Sequence, residues 1–122
     1  MKKATLALTA ILAICLIAPA HAADIEGTYK ASGANPGGKG QYKGNVIISK
    51  SGETYKVVWS VGTAYIGTGI VVGDVLSVAY TDEGRKWFGI VVYKIKSGGK
   101  VLEGLWSGHN GRKLGKETLT KK

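Results

Sequence analysis

The chain has 122 residues, with 17 Lys and Arg against 8 Asp and Glu, a formal net charge of +9 and a hydrophobic share of 44%. A single cysteine and two histidines exclude a disulfide framework, thiolate-ligated metals and a histidine-rich metal centre. The basic balance favours anionic partners. Yet Lys and Arg never run longer than a pair and no zinc-finger spacing is present, so no nucleic acid is expected among the partners.

Residues 1–22 read as a secretory signal peptide. Lys2 and Lys3 open it, an uncharged run from Leu6 to Ala18 follows, and Pro19 precedes the small-residue pattern Ala20-His21-Ala22. A membrane-spanning helix needs roughly 20 apolar residues, and this run is shorter. The mature chain is expected to begin at Ala23 as one domain over 23–122, without a transmembrane segment, in the periplasm or outside the cell. Cys15 leaves with the signal. So do two lysines, which leaves 15 basic against 8 acidic groups, a net +7.

From residue 23 onward, glycines punctuate segments rich in Val, Ile, Tyr, Trp and Thr, as short strands joined by tight turns require. Turn signals fall at Ala34-Asn35-Pro36-Gly37-Gly38, Ser51-Gly52, Val61-Gly62, Gly73-Asp74, Asp82-Glu83-Gly84, Ser97-Gly98-Gly99 and His109-Asn110-Gly111; Asn-Gly is the pair favoured in two-residue hairpins. They delimit eight predicted strands: 25–32, 40–50, 53–61, 63–72, 75–81, 86–96, 100–107 and 112–120. Connections this short allow only antiparallel neighbours. The predicted fold is therefore all-β, an eight-stranded antiparallel up-and-down barrel, with a flat sandwich as the alternative.

Alternation along each strand assigns the two faces. Inward positions collect Tyr42, Val46, Ile48, Tyr55, Val57, Trp59, Tyr65, Leu76, Val78, Tyr80, Trp87, Val91, Tyr93, Leu102, Trp106, Glu117 and Leu119. Outward positions carry Lys43, Lys56, Lys86, Lys94, Lys96, Glu103, Lys113 and Lys116, but also the apolar Ile47, Val58, Ile66, Ile70, Phe88, Ile90 and Val92. A large residue followed two places on by glycine recurs at Tyr42/Gly44, Tyr65/Gly67, Trp87/Gly89 and Leu102/Gly104. Tight coiling of the sheet, with neighbouring aromatics covering the gaps, accounts for glycine inside strands.

Catalytic patterns are missing from the mature sequence. His109 is its one histidine and falls in a predicted turn, Asp82-Glu83 is the one adjacent carboxylate pair, and neither a Gly-x-Ser-x-Gly elbow nor a phosphate loop occurs. The chain reads as a non-enzyme with no cofactor and no metal. Glu117 is the exception that needs a reason, because alternation puts a carboxylate on the aromatic face, where an unpaired charge is costly. It serves either as a hydrogen-bonded anchor closing strand eight onto strand one or as the polar contact of a ligand pocket.

The stretches Gly40-Gln41-Tyr42-Lys43-Gly44-Asn45-Val46, Gly52-Glu53-Thr54-Tyr55-Lys56-Val57-Val58-Trp59, Gly89-Ile90-Val91-Val92-Tyr93 and Leu102-Glu103-Gly104-Leu105-Trp106 resemble a family of small exported proteobacterial proteins labelled fibronectin-binding protein. That resemblance implies an exported binding protein. In architecture alone the pattern is similar to lipocalin- and avidin-like barrels, which hold small apolar ligands between aromatic walls. Ser51-Gly52-Glu53-Thr54-Tyr55 also resembles the Ser-Gly-x-x-Tyr motif of periplasmic lysozyme inhibitors, but Trp59-Ser60-Val61-Gly62 departs from that family's second motif and its two cysteines are absent.

Two functions compete. The first is binding of a protein or other anionic surface partner through the outward face of strand six, at Lys86, Phe88, Ile90, Lys94 and Lys96. The second is carriage of a small apolar ligand inside the barrel, against Tyr55, Trp59, Tyr80, Trp87, Tyr93, Trp106 and Glu117. An eight-stranded barrel is wide enough either to fill itself with side chains or to hold one small ligand. The inward bulk predicts a filled core, and an internal cavity of several hundred Å³, the usual size of a ligand pocket, is the observation that decides.

Overall fold

A computed structural model describes residues 23–122, so the signal-peptide reading of residues 1–22 lies outside the described residues. The eight strands are β1 (Gly27–Ala34), β2 (Gln41–Ser51), β3 (Thr54–Ser60), β4 (Ala64–Val72), β5 (Val75–Asp82), β6 (Phe88–Lys96), β7 (Val101–Gly108) and β8 (Gly115–Lys121). Each pairs antiparallel with the next, and β1 pairs with β8, so the sheet closes as an up-and-down barrel. Closure removes both sheet edges. Among the described residues no helix is long and apolar enough to cross a membrane.

The inward face follows the alternation. Val46, Ile48, Val57, Leu76, Val78, Leu102 and Leu119 are sealed from solvent, and each contributes about 1.5–3 kcal/mol by that burial. Outward Ile66, Ile70, Phe88, Ile90 and Val92 remain exposed, so the register of β4 and β6 is the one the alternation predicts.

Glycines on one strand seat aromatic rings from the next, which is the physical reason for their recurrence. Tyr93 faces Gly104 across β6 and β7, Tyr80 faces Gly89, Tyr42 faces Gly33 and Trp106 faces Gly115. A Cβ at Gly104 would stand 2.6 Å from the Tyr93 ring, so any larger residue there displaces that ring.

Three local departures from the predicted elements have identifiable causes. β1 starts later than predicted because the chain bends at Gly27, where φ is +146°, and residues 23–26 turn beneath the barrel. β6 starts at Phe88 because the Asp82 carboxylate accepts hydrogen bonds from the backbone N–H groups of Lys86 (2.9 Å) and Trp87 (3.0 Å), holding 83–87 in a loop. Asn110-Gly111 does not form a two-residue hairpin: Asn110 takes φ +58° and the Gly111 N–H bonds the Gly108 carbonyl at 2.8 Å, but the chain runs on to Gly115 before β8 begins.

The barrel has one plugged and one open end. Ile25, 1% exposed, fills the plugged end, and the Tyr29 hydroxyl donates to the carbonyls of Ile25 (2.7 Å) and Gly99 (2.9 Å). Burial, with the nearby Asp24 charge, pushes the Tyr29 hydroxyl up to about 12, so it stays a donor at working pH. Replacing Tyr29 by phenylalanine leaves two buried carbonyls unsatisfied. We expect a loss of about 1–3 kcal/mol in urea unfolding, and a loss under a few tenths would show that the plug does not depend on this hydroxyl.

Candidate functional site

In an up-and-down meander alternate connections lie at the same end. The loops 35–40, 61–63, 83–87 and 109–114 therefore ring the end opposite Ile25. Between them a cavity of about 230 Å³ descends into the barrel, lined by Tyr42, Trp59, Tyr65, Tyr80, Trp87 and Trp106, with Asn35, Val61, Thr63, Val91 and Glu117 between the rings. The expected filled core is corrected at this end alone, by a cup smaller than the several hundred Å³ usual for a ligand pocket. Only the end holding Ile25, Tyr29, Ile48 and Leu76 is packed solid, because β-branched and aliphatic side chains interdigitate there, while rings at the other end stand around a space.

The walls are rings in mutual edge and tilted contact. Trp59 and Tyr80 lie 5.5 Å apart by centroid, Tyr80 and Trp87 5.7 Å, Tyr65 and Tyr80 5.7 Å, and Tyr65 and Trp87 6.2 Å. Across the cup, Tyr42 and Trp106 meet edge to face at 6.3 Å. Such contacts hold rings in fixed orientations.

Glu117 forms the polar floor at 4% exposure. Its Oε1 accepts from the Tyr42 hydroxyl at 3.3 Å, and its Oε2 accepts from Trp59 Nε1 at 3.2 Å and from the Tyr93 hydroxyl in a short bond. No ion pair among the described residues includes it. Burial drives the Glu117 carboxyl above its usual range, and the Tyr93, Trp59 and Tyr42 donors only partly offset this. Burial, reinforced by the Glu117 charge, likewise raises the hydroxyls of Tyr42 and Tyr93, which therefore remain donors. Trp106 Nε1 is buried beside the Tyr42 hydroxyl, where its N–H works against the larger effects that raise that hydroxyl.

The raised Glu117 carboxyl fixes the sign of a pH effect. The folded state holds that proton more tightly than the unfolded chain, so the stabilising contribution is full below about pH 4.5 and is lost as pH rises through the folded value. Asp82 acts in the opposite sense at lower pH, because the Trp87 and Lys86 amides hold its carboxylate below the usual 3.8. Glu117→Gln is expected to flatten the fall in urea midpoint between pH 4.5 and neutrality. A parent–variant difference that stays constant across this window would refute the assignment.

The residues expected to meet an interior ligand divide into two groups. Trp59, Tyr80, Trp87, Trp106 and Glu117 do line the cup. Tyr55 does not, since it sits near the plugged end opposite Lys50 and Gly69, and Tyr93 lies beneath the floor at 0% exposure, where it positions Glu117. Trp87 reaches the cup from the loop before β6, its ring lying against Gly108. Tyr42, Tyr65, Val61, Thr63, Asn35 and Val91 were missed. The signal that would have found them is proximity to alternate turns, which marks one end of any meander.

The expected outer site is also rearranged. Phe88 and Ile90 stand exposed on β6, with Phe88 stacked on His109 at 4.4 Å. Lys86 is not on the strand, because the Asp82 bonds hold it in the loop. Lys94 pairs with Asp74 at 2.9 Å and Lys96 with Glu103 at 2.7 Å, so the charge of this face is partly neutralised locally. Among the described residues no group of three or more His, Cys, Asp or Glu could hold a metal ion. No protein-family model matches the chain, and no curated protein matches its sequence.

Proposed function

We propose that this chain is an exported, non-enzymatic binding protein that holds one small molecule in the cup at its open end. The observation that carries this reading is the cavity of about 230 Å³ bounded by three tryptophans and three tyrosines above a buried carboxylate. Drug-sized ligands occupy pockets of about 300–1,000 Å³, so the guest is smaller than these.

A fragment screen by ligand-observed NMR, run on the parent and on Val91→Phe, tests the reading. Val91 lines the cup, and a ring at that position takes up its space. Fragments that bind the parent and are lost with Val91→Phe support the reading; a screen in which no fragment distinguishes the two overturns it. Reversing Lys86, Lys94 and Lys96 to glutamate is expected to leave cup binding within about twofold, since these exposed charges lie outside the barrel.

A second reading rests on the outer face, where Ile66 is 41%, Ile70 57%, Phe88 57% and Ile90 53% exposed. Two such rows, on β4 and β6 with Ser77, Ala79 and Thr81 of β5 between them, suit a protein partner. With the resemblance to exported proteins labelled fibronectin-binding, it makes immobilised fibronectin the first partner to try. Binding that survives Phe88→Ser with Ile90→Ser would remove this face from consideration.

A further inference from the structure

We infer that the guest of the cup is a small organic cation, an ammonium group seated between the aromatic faces and Glu117. This rests on the ligand-cup reading above and adds the chemical class.

Charge is the first argument. Glu117 is the one charged residue lining the cup, it is 4% exposed, and no Lys or Arg lines the cavity with it. Tyr42, Trp59 and Tyr93 all donate to it, which suits an ionised acceptor. Those three bonds fill three of roughly four acceptor positions of a carboxylate, two on Oε2 and one on Oε1. The open position is on Oε1. A cation from outside would supply the counter-ion that this buried, hydrogen-bonded carboxylate lacks among the described residues.

The walls give the second argument. Aromatic faces carry negative quadrupole charge and attract ammonium groups within about 6 Å, Trp most strongly. Trp59, Tyr65, Tyr80 and Trp87 form one continuous set of rings lining one side of the cup, and Tyr42 and Trp106 close the other. A purely apolar guest would gain from the same rings but would leave Glu117 uncompensated. An anion, favoured by the basic exterior, would meet Glu117 as a like charge at the floor. The interior therefore selects the opposite sign from the exterior.

Choline and its neutral carbon isostere 3,3-dimethylbutan-1-ol share shape and differ in charge, so they isolate the cation. We would titrate each into the purified protein and follow tryptophan fluorescence and heat. Choline is expected to bind at least about tenfold more tightly than the isostere. Glu117→Gln is expected to abolish that preference with the β-sheet circular dichroism retained. Trp87→Ala, which removes one wall and leaves Glu117 and its donors intact, is expected to weaken choline and is the informative variant if Glu117→Gln does not fold. Equal or tighter binding of the isostere to the parent overturns the cation assignment while leaving a cup for neutral guests. Absence of binding by either compound also overturns it, and the fragment screen then decides separately whether the cup binds anything.

Discussion

Truncating Trp59 to alanine is expected to lower the unfolding free energy by about 3–5 kcal/mol, the range for large buried aromatics. The ring is 5% exposed, packs against Tyr80 at 5.5 Å, and donates its indole N–H to Glu117. Its loss both enlarges the cup and strips one donor from a buried carboxylate. Trp59→Phe separates these effects, because it keeps most of the bulk and loses only the N–H. Trp106, expected from the alternation to be an equal core residue, is half-buried at the cup wall instead, and its truncation is expected to cost less, about 1–3 kcal/mol. Urea unfolding of the three variants checks the order. A loss below about 1 kcal/mol for Trp59→Ala would mean that the ring does not serve as a wall of a packed core.

Gly104→Val is expected to be comparably damaging, at about 3 kcal/mol or more. The position is buried on the inner face of β7, and its missing Cβ is the space into which the Tyr93 ring fits. Tyr93 is fully buried, so it has nowhere to go without disturbing Val91 and the floor. Moving the ring also withdraws its hydroxyl from Glu117, a hydrogen bond to a charged group. Gly98→Ala is the control. It lies in a turn with open space around its Cβ direction, although its φ of +66° carries a modest backbone cost. Similar losses at the two positions would show that Gly104 matters for backbone conformation rather than for seating Tyr93.

The two variants bear on the site as well as on stability. Trp59 and Tyr93 are two of the three donors to Glu117. Any guest that uses the carboxylate is therefore expected to lose affinity in both, whereas Gly98→Ala leaves it unchanged.

Sequence alone determined the fold class, the number of strands and the inward set, because a two-residue period and glycine-marked turns are local properties of the chain. Strand limits were legible wherever the turn chemistry was local, as at Ser51-Gly52 and Gly73-Asp74. They shifted where a side chain or a terminus intervened, as when Asp82 captured two amides ahead of β6 and residues 23–26 turned under the barrel. Alternation also placed Glu117 inside with the aromatics. What it did not supply was depth along the barrel axis. Tyr55 and Tyr93 share their inward orientation with Trp59 and Tyr80, yet only the latter pair face the cavity. Pairing between strands distant in sequence sets that depth, by bringing Trp59, Tyr42 and Tyr93 onto one carboxylate of β8. The balance of charge on the outer face was likewise decided in three dimensions, since Lys94 meets Asp74 and Lys96 meets Glu103 only through the turn and strand register that brings them together.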